Sequence, residues 1–189
     1  MSESILGHRH NPFATKYVRA GRLSYVFPPN CSPTTIVDRL RASQWRGQIV
    51  GPHGSGKSTL LRSLTTNWPN SAPKACRVRV GRKSHLYRSI RSGALLFLDG
   101  FERLNLLQQI QFVLQCRVSK CGFLVTSHRP IWTVDVVWRT STSLDLAKQL
   151  VAALAPDQSR QLAISCYFTQ SEGNLREMFM RLYDDYQAA

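Results

Sequence analysis

The chain has 189 residues, 43% hydrophobic and 19% charged, which suits one folded domain with its own core and a small helical appendage, and excludes a wholly disordered chain. Its net charge of +14 is uneven: before Asp99 the acids are Glu3 and Asp38 against sixteen Lys and Arg, and from Asp99 onward nine acids balance nine bases. There is no membrane-length apolar run and no charged-then-apolar leader in MSESILGHRHNPF, and the five dispersed cysteines (31, 76, 116, 121, 166) form no metal pattern, so a cytoplasmic protein with reduced thiols and no membrane contact is expected.

In chain order, residues 1–30 hold Pro12, Pro28, Pro29 and several aromatics without a clear period. They predict an extended N-terminal segment lying on the domain. SPTTIVDRLRAS opens a helix, with Ser32 as N-cap and Pro33 in the first turn. GQIV reads as a short buried strand. It runs into GPHGSGKST, where Gly51, Gly56, Lys57 and Ser58 fit the phosphate-loop spacing G-x-x-x-x-G-K-[ST].

The residue types in that loop suit the chemistry. Glycines let backbone N–H groups close around a phosphate, and the helix that follows points its positive end at the same anion. Lys57 would reach the β- and γ-phosphates of ATP, and Ser58 would hold Mg²⁺. The candidate cofactor-binding residues are Gly51, Pro52, His53, Gly54, Ser55, Gly56, Lys57, Ser58 and Thr59. Of these His53 occupies a variable loop position and reads as a spacer. A helix should follow, with Leu60, Leu61, Leu64 and Trp68 on one face and Pro69 ending it.

ACRVRV alternates Cys76, Val78 and Val80 with Arg77 and Arg79, a pattern for one buried and one wet face. It belongs to a basic stretch, residues 74–91, with seven Lys and Arg and no acid. This is either an edge strand protected by charge or a surface for nucleic acid or an acidic protein, with His85 and Tyr87 available to stack. ALLFLD (94–99) is an apolar strand ending in Asp99, the pattern of an acid that holds Mg²⁺ beside the loop serine. LNLLQQIQFVLQ predicts an amphipathic helix packed through Leu107, Ile110 and Leu114. GFLVTS and VDVVW predict two more strands. LDLAKQLVAAL, QSRQLAISCYF and a last helix with Leu175, Met178, Phe179, Leu182 and Tyr186 on one face complete the chain. Strands alternating with helices predict an α/β fold with a parallel central sheet, its site at the C-terminal strand ends.

GPHGSGKST, LLFLDGFERL, GFLVTSHRP and SEGNLREMFMRLYD together resemble P-loop ATPases of the AAA+ and STAND group, over roughly residues 30–187. The resemblance implies a three-layer P-loop NTPase fold and, with the reading of the residues, divides the chain into an extended N-terminal segment (1–30), a nucleotide-binding core (31–142) and a helical lid (143–189). It implies that Thr126 and Ser127 sense the γ-phosphate and that Arg176, in GNLR, reaches it from the lid. The family usually places a Glu after the strand-ending Asp to polarise water. Gly100 stands there in this chain, and LDGFER resembles a variant in which Glu102 is the base or else a helix-start acid. His128 interrupts the T-[ST]-R-P text of STAND proteins, and Arg129 and Arg139 are candidates for fingers acting on a neighbouring subunit.

The expectation is therefore an ATP-binding protein, an ATPase using Mg²⁺ that couples nucleotide state to a partner or nucleic acid, with an oligomer left open. Two alternatives remain: a small-molecule or nucleotide kinase, and a nucleotide-dependent binding module without significant hydrolysis. The candidate catalytic residues are Lys57, Asp99, Glu102, Thr126 and Arg176, and the candidate metal ligands are Ser58 and Asp99.

Overall fold

Strands apolar at every position need cover on both faces, and the chain supplies it. The computed structural model describes residues 11–19, 22–80, 83–156 and 163–188. Five strands, β1 (Arg46–Val50), β2 (Ala75–Arg79), β3 (Leu95–Asp99), β4 (Gly122–Ser127) and β5 (Asp135–Arg139), form one sheet in the order β2-β3-β4-β1-β5. All four pairings are parallel. Eight helices are described: α1 (Thr15–Val18), α2 (Pro33–Ala42), α3 (Lys57–Thr66), α4 (Lys83–Arg88), α5 (Leu106–Val118), α6 (Leu144–Leu154), α7 (Ile164–Gln170) and α8 (Leu175–Ala188). This is the expected α/β class, with a parallel central sheet flanked by helices and a C-terminal helical region, consistent with a P-loop NTPase-like fold.

The central strands divide their side chains between two cores. Leu95 and Phe97 of β3 and Leu124 of β4 face α2 and α3, joining Ile36, Leu40, Leu60, Leu61 and Leu64. Leu96 and Leu98 of β3 and Phe123 and Val125 of β4 face the other side, joining Leu86, Phe112, Val113 and Cys116. Each fully buried Leu or Phe stabilises the fold by about 1.5–3 kcal/mol. Helix α2 starts as expected, with Pro33 in its first turn and a capping box between Ser32 and Thr35. Helix α3 ends at Thr66, so Trp68 lies beyond it, packed edge-on against Phe97 at 5.0 Å.

A third cluster joins α6, α7 and α8 through Val151, Ile164, Met178 and Leu182. The N-terminal segment is built into it. Phe13 is 1% exposed and stacks on Phe179 at 6.3 Å, and Asn11 Nδ2 donates to the Tyr183 carbonyl at 2.9 Å. Further on, Phe27 packs edge-on against Trp138 of the edge strand β5.

Two packing expectations are overturned. Helix α5 does not pack through Leu107, Ile110 and Leu114, which are 77%, 47% and 54% exposed. It buries Phe112, Val113 and Cys116 instead. Phe112 meets Phe101 and Phe123 edge-on, each at 5.4 Å, and such aromatic pairs add about 0.5–1.5 kcal/mol beyond area burial. Val78 of β2 and Val80 just after it are buried, but Cys76, near the start of this edge strand, is exposed.

Arg82 and the side chains of Arg79, Lys83 and His85, on which the anion-binding expectation leaned, lie outside the described residues, as do residues 1–10 and the 158–162 part of the helix text. Among the described residues no helix is long and apolar enough to cross a membrane. Cys116 and Cys121, distant from any metal pattern in the sequence, meet as buried thiols. Their mutual hydrogen bond pushes Cys121 down to about 7 and Cys116 up.

Candidate functional site

The 51–58 loop leaves β1 at the C-terminal edge of the sheet and enters α3 at Lys57. Gly54 (φ +69°) and Gly56 (φ +88°) hold left-handed backbone that side chains other than glycine resist. Gly51 is needed for a different reason. A Cβ there would overlap Thr140 Oγ1, at the end of β5, whose hydroxyl meets Ser55 Oγ at 2.6 Å. At Gly54 an added Cβ would overlap Asn174 Oδ1, so the loop lies directly against the approach to α8.

Lys57 is 7% exposed, and a buried ammonium needs partners for its three hydrogens. It has three. Its Nζ donates to the carbonyls of Gly51 and Pro52, each at 2.6 Å, and to His128 Nδ1 at 3.1 Å. Burial lowers the Lys57 pKa, Glu102 and Asp99 pull it back up, and Arg176 pushes it down. Arg176 of α8 is thus within electrostatic reach of the loop lysine, from an exposed position.

Next to the lysine, hydroxyls converge on the acid that ends β3. Ser58 Oγ donates to Asp99 Oδ1 at 2.8 Å, and Thr126 Oγ1 donates to the same oxygen at 2.9 Å. Thr126 Oγ1 also accepts the Gly100 N–H at 2.8 Å. The Thr126 hydroxyl is therefore turned onto Asp99 and the β3 exit. Ser127 Oγ donates to Gln48 Oε1 at 3.1 Å.

Glu102 lies in the 3₁₀ turn Phe101–Arg103 before α5, and His128 Nε2 sits 3.0 Å from Glu102 Oε1. With Lys57 donating to Nδ1, a neutral His128 carries its proton on Nε2 and gives it to Glu102. Burial, and then Lys57, lowers the His128 pKa, which favours that neutral form. His53 is no spacer: its ring lies 3.6 Å from the His128 ring at an interplanar angle of 30°.

The structure thus brings together Lys57, Ser58, Asp99, Glu102 and Thr126, with Arg176 nearby. Arg129 and Arg139 are exposed. Sequence reasoning missed His128, Gln48 and Asn174. Gln48 is wholly buried in β1, and its amide donates to the Ile131 and Val134 carbonyls and accepts the Ile131 N–H at 2.9 Å. That fixes the loop after β4 that carries His128. A polar glutamine inside the otherwise apolar GQIV was the available signal. Asn174 Oδ1 accepts the N–H groups of Arg176 and Glu177, capping the start of α8 while it abuts Gly54.

No family model and no curated protein matches the chain. Among solved structures, that of C. elegans PCH-2 matches over 83% of this chain and 68% of its own, at 11% identity and a TM-score of 0.41. So distant a likeness assigns no activity here.

Proposed function

We propose that this protein binds ATP at the 51–58 loop and is an ATPase of the AAA+/STAND type that couples nucleotide state to the helices α6–α8 and through them to a partner. The observation that carries this is the convergence of Lys57, Ser58, Asp99, Thr126 and Glu102 at the C-terminal ends of adjacent parallel strands, where α/β sheets bind ligands. An arriving phosphate competes with the Gly51 and Pro52 carbonyls for the Lys57 ammonium. Gly54 and Gly56 give the loop the left-handed backbone that lets its N–H groups turn toward a phosphate, with the Asn174 side chain set against Gly54. The contact of Gly54 with Asn174, and the reach of Arg176 to Lys57, supply a route from loop to helices.

The Ser58 hydroxyl and Asp99 carboxylate are hard oxygen donors, and they would hold Mg²⁺. When bound, the ion neutralises phosphate charge. Thr126 orients Asp99. Glu102 is the acid placed to orient a water, and His128 holds it.

That hold favours a second reading. With its carboxylate committed to His128, Glu102 is not free to act on water, as a nucleotide-dependent binding module without turnover requires. The test has two parts. Lys57→Ala should weaken ATP binding, read by calorimetry, on the order of 10- to 100-fold, the worth of a charge-assisted hydrogen bond; equal affinity overturns the site. Glu102→Gln should leave ATP bound and slow phosphate release on the order of 10²- to 10⁴-fold. Unchanged release removes Glu102 as base, and a parent protein without release supports the binding module. Phosphate appearing on an acceptor other than water points to a kinase.

A further inference from the structure

Helix α5 carries a second apolar row that none of the described residues buries. Leu107, Ile110, Leu114 and Val118 recur at spacings of three and four, so they line one face, and they are 77%, 47%, 54% and 85% exposed. The row is about 16 Å long at 1.5 Å per residue. Near the C-terminal turn of α5 lies Trp132, which is 97% exposed and whose neighbour Thr133 accepts a hydrogen bond at its carbonyl from Arg117 Nη2 at 2.9 Å. Exposed large apolar side chains in a contiguous row mark an interaction site, and an exposed Trp is a common anchor there.

Charge selects among the occupants. From residue 103 to residue 134 the sequence contains Arg103, Arg117, Lys120 and Arg129 and no acid, and all four bases are exposed. Among the described residues none of the four is in an ion pair. A second copy docked by the same face would set these cations against themselves, in a chain already at +14. One flank of the row carries neutral glutamines, Gln111 and Gln115, and the other carries Arg117, the one cation within α5, where helices lying on lipid are lined by several lysines and arginines. A row one residue wide with cations at both ends fits the apolar seam of a single helix whose other positions are acidic.

We propose that the outer face of α5, with Trp132, docks an acidic amphipathic helix of a partner protein. The apolar row takes the partner's leucines, and Arg103, Arg117 and Lys120 take its carboxylates. This surface does not depend on the nucleotide site.

The probe is a fluorescein-labelled helical peptide about five turns long, with leucines spaced three and four apart and glutamates elsewhere, titrated by anisotropy. A second peptide keeps the leucines and replaces every glutamate with lysine. The parent protein should bind the acidic peptide and reject the basic one. The double variant Ile110→Asp/Leu114→Asp, and separately Arg117→Glu, should bind about tenfold or more weakly, as expected for anchors at an interface centre. These positions are exposed, and unchanged circular dichroism and melting will show that the variants fold. Binding should shift the tryptophan emission to the blue in the parent, and the shift should be lost in Trp132→Phe. Absence of peptide binding, equal binding of both peptides, or equal binding by parent and double variant overturns the proposal. So does a self-association abolished by the double variant without peptide binding, which assigns the face to a second copy. Binding to phosphatidylserine-containing vesicles in place of peptide assigns it to a membrane and overturns the proposal as well.

Discussion

Helices α3 and α5 cover opposite faces of the same sheet and use their apolar residues differently. Helix α3 has one apolar row, Leu60, Leu61 and Leu64, and all of it is buried. Helix α5 has two rows, and the sheet takes only one, Phe112, Val113 and Cys116. A helix has one side to give to a sheet, so a second row needs another partner. The aromatic row won in α5 because Phe112 fits between Phe101 and Phe123, a place no leucine of the other row would fill as well. Helix α3 has its distinctive chemistry at one end, at Lys57, whereas α5 has it along one side.

The comparison is tested most strongly inside the cores. Phe112→Ala should cost about 3–5 kcal/mol and Leu61→Ala about 2–5 kcal/mol, since each leaves a cavity in a filled site. Urea unfolding measures both. A cost near zero for Phe112→Ala would mean that α5 is free to roll and present its leucines to the sheet, and the assignment of its two faces would fail.

The same contrast explains what was legible in the sequence. The α3 pattern had one solution, so its buried face could be read directly. The α5 text has apolar residues at 106, 107, 110, 112, 113, 114, 116 and 118, and periodicity alone cannot say which row a sheet will take. The five strands and their parallel direction were legible because apolar runs alternate with helices. At the site, Lys57 and Ser58 were legible because they belong to one contiguous loop motif, and Asp99 because it ends an apolar strand, although it meets Ser58 from 41 residues away. His128 was visible only as an interruption in a motif, since its partners lie 71 and 26 residues away and meet it only through the order of the strands.

A smaller effect comes from the group that ties the two helices together. His128 touches Lys57, which starts α3, and Glu102, in the turn that leads to α5, with His53 against its ring. Its folded pKa lies below the unfolded value of about 6.5, so the unfolded chain binds the proton more readily. The stability supplied by neutral His128 is therefore present above about pH 6.5 and lost as pH falls through the lower folded value. Protonation would remove the acceptor at Nδ1 and set a cation beside Lys57. Urea midpoints at about pH 7.5 and about pH 5.5 should fall more in the parent than in His128→Gln, which keeps every other titrating group. Equal falls would place the acid sensitivity elsewhere.

The smallest expected effect discriminates best between the two rows of α5. Leu107→Ser should change unfolding free energy by no more than about 0.5 kcal/mol, the range of exposed substitutions, because Leu107 is 77% exposed and loses little contact when shortened. Part of that change is the lower helix propensity of serine, which acts whatever the row touches. The measurement is urea unfolding at two protein concentrations well apart. A cost like that of Phe112→Ala at both concentrations would mean that the leucine row is buried within the chain. A cost that grows with concentration would mean that a second copy covers it. Near-zero cost at both, alongside a large cost for Phe112→Ala, leaves α5 as a helix anchored by its aromatic row and offering its leucines outward.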